Sequence, residues 1–416
     1  MNIKSLFLSF IAIPLLLACG NNNRSSSQSD STPLPTSEGQ GGGSSRGGSS
    51  SLTLSYAKGF TVRTLDNGIR LVDIADPQTD EDKMPVSYHF ALVPKKPHPQ
   101  PFPPGKGEAV PASYTIVPVP VDRTIVMTML QLSNFTTLDA LDVVKGITGT
   151  KNLFNKDVRE RVEDGRIVKI GMEGNFDTEL ILAANPEVIF ISPFKRGGYD
   201  AIKETGITLI PHLGYKELTP LGQAEWIKFV ALFLGKEAEA DSTFAGIEQR
   251  YNNLKAKVAA IEATVHEASP AGSHPLPTVF SGEMHGGNWY AVGGKSTLAQ
   301  LFRDAGAEYV INDDNTGGVN IEFEQLYAMA ADADYWRILN SFPGEFSYEA
   351  LKASEPRNEL FRAFREKKVI YCNMKQTPYY ELAPVAPDLI LADFIAIFHP
   401  ELMPKDYQPT FYRLLK

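Results

Sequence analysis

Two short runs near the start of the folded part of the chain, Phe60-Thr-Val-Arg-Thr-Leu65 and Ile69-Arg-Leu-Val-Asp-Ile74, mix apolar and β-branched residues with a few polar ones and flank a turn signal. Such a pair predicts two strands. Asp66-Asn67-Gly68 between them predicts a tight hairpin, because Asn-Gly accepts the positive φ such turns need. A third strand is expected at 86–93, and the Pro-rich stretch 94–111 reads as an exposed loop. Strands are expected again at 114–118 and 124–129, the second almost wholly apolar, as a strand covered on both faces is. Helix and strand then alternate: helix 137–141, strand 143–148, helix 178–184, strand 188–192, helix 199–205, strand 208–211. Such alternation predicts a doubly wound parallel sheet.

Thr219-Pro220 supplies an N-cap and a first-turn proline. Leu221, Ala224, Ile227, Val230, Ala231 and Leu234 follow at helical spacing as far as Gly235. At about 1.5 Å per residue this helix is long enough to cross from one lobe to another. A more charged helix is expected at 237–267. The alternation resumes with a strand at 278–281, a helix at 297–305, a strand at 369–372 and an apolar helix at 389–398, for which Asp388 is the expected N-cap. The predicted fold class is α/β: two doubly wound lobes joined by a single crossing helix, with an extra N-terminal β-hairpin. The lobe with the hairpin extension spans 52–217, the interlobe helix 218–236 and the second lobe 237–416.

Residues 175–190 and 320–335 align without a gap, each reading Asn, apolar, acid, Thr or Phe, Glu, then a short apolar helical pattern and an extended run. The repeat puts Glu179 and Glu324 at the same place on the two lobes.

The first residues change the picture of where the chain works. Lys4 precedes a mostly apolar run from Leu6 to Leu17, too short to span a membrane, and Ala18-Cys19-Gly20 follows. Residues 1–18 therefore read as a signal peptide, and the Leu16-Leu17-Ala18-Cys19 ending resembles the bacterial lipoprotein signal, in which Cys19 carries the lipid. Residues 19–51, rich in Ser, Gly and Asn, read as a flexible tether. Cys372 is the only other cysteine, so no internal disulfide is expected. With 416 residues and 43% hydrophobic content the chain is long enough for two packed lobes. Its net charge of -9 argues against nucleic acid as a partner. The expected location is the cell envelope, lipid-anchored outside the cytoplasmic membrane, on the periplasmic side in a Gram-negative cell.

Gly293-Gly294-Lys295-Ser296-Thr297 invites a phosphate-loop reading, but that motif needs a glycine where Trp289 stands, so the segment reads as a glycine turn and N-cap. The seven histidines form no metal-binding spacing, which disfavours a zinc or manganese receptor. His212 and His285 each follow a predicted strand, where open α/β sheets place ligand loops. Aromatic and basic residues gather on the same strand-end loops: Phe194, Lys195, Arg196 and Tyr199 in the first lobe, then Trp289, Tyr290, Tyr379 and Tyr380 in the second. A large planar or anionic ligand needs such apolar faces with a few positive groups. Packing across the lobe interface would use the same residue types.

Together the leader, the order lobe–helix–lobe and the motifs around Glu179 and Glu324 resemble the ABC-importer substrate-binding proteins of the iron-complex and cobalamin type. The resemblance covers about residues 112–416 and includes Trp289-Tyr-Ala-Val-Gly-Gly-Lys-Ser-Thr-Leu298, Asp304-Ala-Gly306, Pro387-Asp388-Leu389 and His399-Pro400. It implies a periplasmic binding protein of the helical-backbone class, with no enzymatic activity and no cofactor, that binds a small-molecule metal complex between its lobes. It also implies that Glu179 and Glu324 dock against the permease subunits. The ligand-binding candidates are Met172, Arg196, Tyr199, His212, His285, Trp289, Tyr290 and Tyr379, with His212 and His285 the candidate metal contacts. Aromatic residues that flank the corrin in cobalamin binders have no counterpart near Met172, Pro193 or Gly318, which favours a ferric siderophore or haem over cobalamin. A chelatase-like enzyme acting on a tetrapyrrole is the rival, and would need a His and acid pair from among His212, His285, Glu173 and Glu283.

Overall fold

Asn67 and Gly68 close the hairpin as expected: Gly68 has φ 78°, and the Asn67 side chain accepts from the Ile69 N–H at 3.1 Å. Strands β1 (Phe60–Thr64) and β2 (Arg70–Ala75) pair antiparallel. They belong to a four-stranded sheet rather than a lone hairpin. β3 (Val86–Pro94) lies antiparallel to β2, and β4 (Thr115–Val119) runs parallel to β3. One face of this sheet, with Phe60, Val72, Ile74, Phe90 and Val117, is buried in the main core. A computed structural model describes residues 52–79, 86–95, 109–149, 153–172, 174–193, 199–268 and 276–416. The signal peptide, Cys19, the tether, Glu173 and Arg196 with its neighbours Phe194 and Lys195 lie outside them.

The first lobe is a parallel sheet built from β5 (Thr124–Val126), β6 (Val144–Ile147), β7 (Val168–Lys169), β10 (Val188–Ile191) and β11 (Thr208–Pro211), in the order β11-β10-β5-β6-β7. A small hairpin, β8 (Gly171–Met172) and β9 (Asn175–Phe176), precedes α3 (Thr178–Ala183). Helix α4 (Asp200–Lys203) lies between β10 and β11.

Two local expectations fail here. The strand expected at 124–129 stops at Val126, because Thr128 and Gln131 form a capping box that starts α1 (Met129–Thr137). The helix expected at 137–141 is therefore displaced upstream. A charged helix that the sequence pattern does not predict, α2 (Lys156–Glu163), follows β6; only Val158 on it is buried, so its apolar period is too weak to read.

The crossing helix α5 (Pro220–Leu234) has the expected ends, with Thr219 accepting from Gly222 N–H and Gly235 in the left-handed region at φ 65°. It packs on α1 of the first lobe and on α7 (Thr297–Asp304) and α12 (Pro387–Phe398) of the second. Phe60 stands edge-on to Trp226 and Phe229 of α5, with ring centroids at 4.9 and 5.2 Å. Two buried carboxylates fix the segment before β1. Glu225 accepts from the N–H groups of Ser55, Tyr56 and Ala57, and Glu217 accepts from those of Lys58 and Gly59. Helix α6 (Glu237–Ala268) follows, and its Glu248 accepts from Tyr56 Oη at 2.7 Å.

The second lobe holds four parallel strands, β12 (Thr278–Ser281), β15 (Glu308–Tyr309), β17 (Tyr335–Asn340) and β18 (Val369–Asn373), with β19 (Arg413–Leu414) antiparallel at one edge, in the order β15-β12-β17-β18-β19. A three-stranded antiparallel sheet, β13 (Glu283–His285), β14 (Asn288–Val292) and β16 (Gly318–Ile321), follows the C-terminal end of β12. Helices α7 and α12, with α8 (Phe323–Ala330), α9 (Tyr348–Ser354), α10 (Arg362–Arg365) and α11 (Tyr379–Leu382), cover the sheets. Ser296 caps α7 as expected, and Gly294 N–H donates to Asp313 at 2.7 Å, so this turn is closed on its own carboxylate rather than on a phosphate. Asp388 does not cap α12; the helix begins at Pro387, and Asp388 pairs with Arg250 of α6 at 2.6 Å. Among the described residues no helix is long and apolar enough to cross a membrane.

Candidate ligand cleft and docking helices

The repeated unit forms the same structure twice: a strand ending in Asn-containing backbone (β9, β16), a helix (α3, α8) and a core strand (β10, β17). Ile181 and Leu326, at matching positions, are both buried, while Glu179 and Glu324 are both exposed in the first turn. The negative charge of each stands near the positive end of its helix. Among the described residues Glu179 has no cationic partner, whereas Glu324 meets Arg357 at 3.3 Å. Arg357 is itself held by Glu355 and lies over the Phe323 ring at 4.0 Å.

The three-stranded sheet sorts its residues by strand alternation. Trp289 and Ala291 face the core; Glu283, Tyr290 and Asn320 are cross-strand neighbours on the opposite face. Burial pushes the Glu283 carboxyl up to about 7, against the lowering effect of Asn340, whose amide donates to both carboxylate oxygens at 3.1 and 3.2 Å. Tyr371 Oη donates to the same Asn340 at 2.9 Å. The Tyr290 hydroxyl is buried without a hydrogen-bond partner among the described residues, so close over Gly318 that a Cβ there would lie 2.1 Å from it.

Tyr379 and Tyr380 stand edge-to-face on α11, with centroids 5.5 Å apart. Burial pushes the Tyr380 phenol up to about 12, and Tyr379 and Tyr290 are close enough to add to that. Arg337 is buried on β17 and donates to Tyr412 Oη. Tyr412 is held in turn by Asp393, which accepts from the Thr410, Phe411 and Tyr412 N–H groups. Arg337 thus brings one fixed positive charge beneath a face of phenols. The face lies where the lobes meet: α11 packs on α1, and Glu381 accepts from Phe154 and Asn155 N–H, both at 2.8 Å.

Of the sequence candidates, Tyr290 and Tyr379 come together here. Met172 is 54% exposed on the β8–β9 hairpin, and His285 is exposed at the tip of the β13–β14 hairpin. Three candidates lie buried. Trp289 is wholly buried, its Nε1 donating to Ser281 O at 2.9 Å. His212 packs in the core against Trp226 and Phe229, and burial lowers its pKa to about 3, so it stays neutral. Tyr199 is buried in the first lobe, stacked on Phe176 and donating to Ser192 O at 2.9 Å. Trp289 lies on the core-facing side of β14, His212 in the turn that follows β11 and Tyr199 just before α4. Arg337, Asn340 and Tyr371 escape the sequence reading, although the rule that strand ends line ligand sites points at Asn340. Among the described residues no His pairs with Glu283, and no three His, Cys, Asp or Glu side chains converge to hold a metal ion.

The profile of the periplasmic binding protein family matches residues 128–375, more than half of the chain. The chain belongs to that family. An uncharacterized lipoprotein of Methanocaldococcus jannaschii is 28% identical over 315 residues, covering 72% of this chain and 70% of the relative. Among solved structures, a periplasmic heme binding protein from Pseudomonas aeruginosa superimposes with TM-score 0.54 at 18% identity, covering 71% of this chain and 98% of that one. An ABC-type Fe3+-hydroxamate transport protein from Saccharomonospora viridis gives 0.51 at 17% identity, covering 67% and 94%. These similarities fix the two-lobed periplasmic binding protein fold, and they leave the N-terminal four-stranded sheet outside the family match, since its strands end before residue 128.

Proposed function

We propose that this periplasmic binding protein is the receptor of an ABC importer: it captures an iron complex, a ferric siderophore or haem, between its lobes and hands it to the permease. The observation that carries the reading is the phenolic face formed by Tyr290, Tyr379 and Tyr380 beside the buried Arg337 where α11 meets α1. Aromatic walls suit a large planar or aromatic-bearing complex, a fixed guanidinium suits its carboxylates, and phenol oxygens suit ferric iron. The Pseudomonas and Saccharomonospora neighbours, named for heme and for Fe3+-hydroxamate, agree with that chemistry. Cobalamin is the second ligand reading within the same family. The role is binding rather than catalysis, and the protein works outside the cytoplasmic membrane, anchored by a lipid on Cys19.

Glu179 and Glu324, presented alike on the two lobes, are the permease contacts in this proposal. The test is iron-complex uptake by cells carrying Glu179→Arg and Glu324→Arg together. Uptake is expected to stop while the purified variant binds its complex as tightly as the parent. Normal uptake would remove the docking role.

A further inference from the structure

In the N-terminal sheet, outside the family match, three side chains of different chemistry meet at one oxygen atom. Asp73 on β2 and His89 on β3 are paired directly across the strands, and Tyr114 stands just before β4, which runs alongside β3. The Tyr114 hydroxyl donates to Asp73 Oδ1 at 2.7 Å, and His89 Nδ1 lies 2.7 Å from the same oxygen. The two rings are tilted against each other with centroids 5.0 Å apart. Strand alternation puts this row on the outer face of the sheet, because the sequence neighbours Val72, Ile74 and Phe90 point into the main core. A small apolar cluster braces the row: Leu65, Leu71 and Ala91 are buried there, and Ile69, Val110 and Tyr114 pack against them. The other side is open. The His89 and Asp73 side chains keep 34% and 28% of their surface in solvent, and Thr61, opposite Asp73 on β1, is exposed.

We propose that Asp73, His89 and Tyr114 form a metal site on the outer face of the N-terminal sheet and that it takes a ferric ion. Ligands at about 2.0–2.2 Å from one ion stand about 3 Å apart when they meet it at right angles, so donors already 2.7 Å apart need only a small outward movement to admit it. The ion replaces the protons that now bridge the groups. Tyr114 releases its phenol proton to water, neutral His89 keeps its proton on Nε2 and presents Nδ1, and Asp73 supplies a carboxylate oxygen. Imidazole suits iron, copper and zinc, and among these a phenolate oxygen favours iron. Burial, and then the bond to Asp73, push the Tyr114 phenol up to about 12, so a weakly polarising ion such as Ca2+ leaves its proton in place and a trivalent ion displaces it. Arg63, whose charge acts on Tyr114, favours the phenolate. Water completes the coordination on the open side. This site shares no residue with the ligand cleft and does not depend on how the cleft is filled.

The experiment titrates ferric nitrilotriacetate into the metal-free protein and follows visible absorption, where a phenolate bound to ferric iron gives a charge-transfer band. The titration is made on the parent and on Tyr290→Phe with Tyr380→Phe, which removes two phenols of the ligand cleft. The band is expected in both proteins. Tyr114→Phe is expected to remove it, and Asp73→Asn and His89→Gln each to weaken iron binding by at least about tenfold. Thermal unfolding checks the fold of each variant, and if Tyr114→Phe does not fold, His89→Gln decides. Absence of the band, a band that Tyr114→Phe leaves unchanged, or one that disappears with the Tyr290 and Tyr380 hydroxyls would overturn the proposal. Displacement of the ferric ion by an equal concentration of zinc would overturn it as well. Retention of haemin or a ferric siderophore by the cleft is measured separately on Tyr114→Phe, so the receptor reading and this site fail independently.

Discussion

Glu381 of α11 accepts a hydrogen bond from the Phe154 backbone N–H across the junction of the two lobes, and its other oxygen accepts from Asn155. The carboxylate is only 8% exposed, so these bonds are made away from competing water. They fix α11, with Tyr379 and Tyr380, against the first lobe. Replacing Glu381 by Ala leaves two amides unpaired and is expected to cost about 3 kcal/mol. Chemical unfolding of the variant measures that loss, and ligand affinity is expected to fall with it because the phenolic face loses its anchor.

Glu225 poses a similar question at the other side of the crossing helix. It is fully buried, accepts from three consecutive backbone N–H groups of the segment before β1, and is neutralised by Lys228 at 3.3 Å. The segment before β1 is thus fastened to α5, which packs on both lobes. Glu225→Ala is expected to destabilise the protein by about 3–5 kcal/mol, since it strands a buried amide row and leaves Lys228 with Asp241 alone. Limited proteolysis is expected to release the N-terminal sheet from the variant before the lobes are cut.

Glu283 gives a pH dependence with a definite sign. Its carboxyl is pushed from an ordinary 4.5 up to about 7 in the folded protein, so folding favours the protonated form. The stabilisation from this group is complete below about pH 4.5 and is lost as pH rises to about 7, amounting to up to about 3 kcal/mol. Glu283→Gln keeps the neutral side chain at every pH. The melting-temperature difference between variant and parent is therefore expected to grow from about pH 4.5 to about pH 7 in favour of the variant, then level off. A flat difference would mean that Glu283 titrates alike in the folded and unfolded chain.

Much of this architecture is legible where local signals agree. The Asn67-Gly68 hairpin, the capped helix from Thr219 to Gly235 and the repeated unit around Glu179 and Glu324 each combine a period with a turn or cap that points the same way. Misreadings arise where one side chain decides. Gln131 turns the end of an apolar run into a helix start, and Arg250 diverts Asp388 from its capping place. The strand at 115–119 is legible, but its pairing with β3 is a long-range choice that no local pattern records. The neighbours Trp289 and Tyr290 look alike in sequence, yet strand alternation sends one to the core and the other to the opposite face of β14. Arg337, within an apolar strand, reads as a core residue until the fold sets it beside Tyr379 and Tyr380.

The central claim is that the phenolic face holds an iron complex. Native mass spectrometry of the chain from residue 52 onward, mixed with haemin, cobalamin, a ferric hydroxamate and a ferric catecholate, tests it directly. One iron complex is expected to be retained by the parent and at least about tenfold less tightly by Tyr290→Phe with Tyr380→Phe, the loss of roughly one good hydrogen bond. Retention of none of the four, or equal retention by the doubly substituted protein, would contradict it.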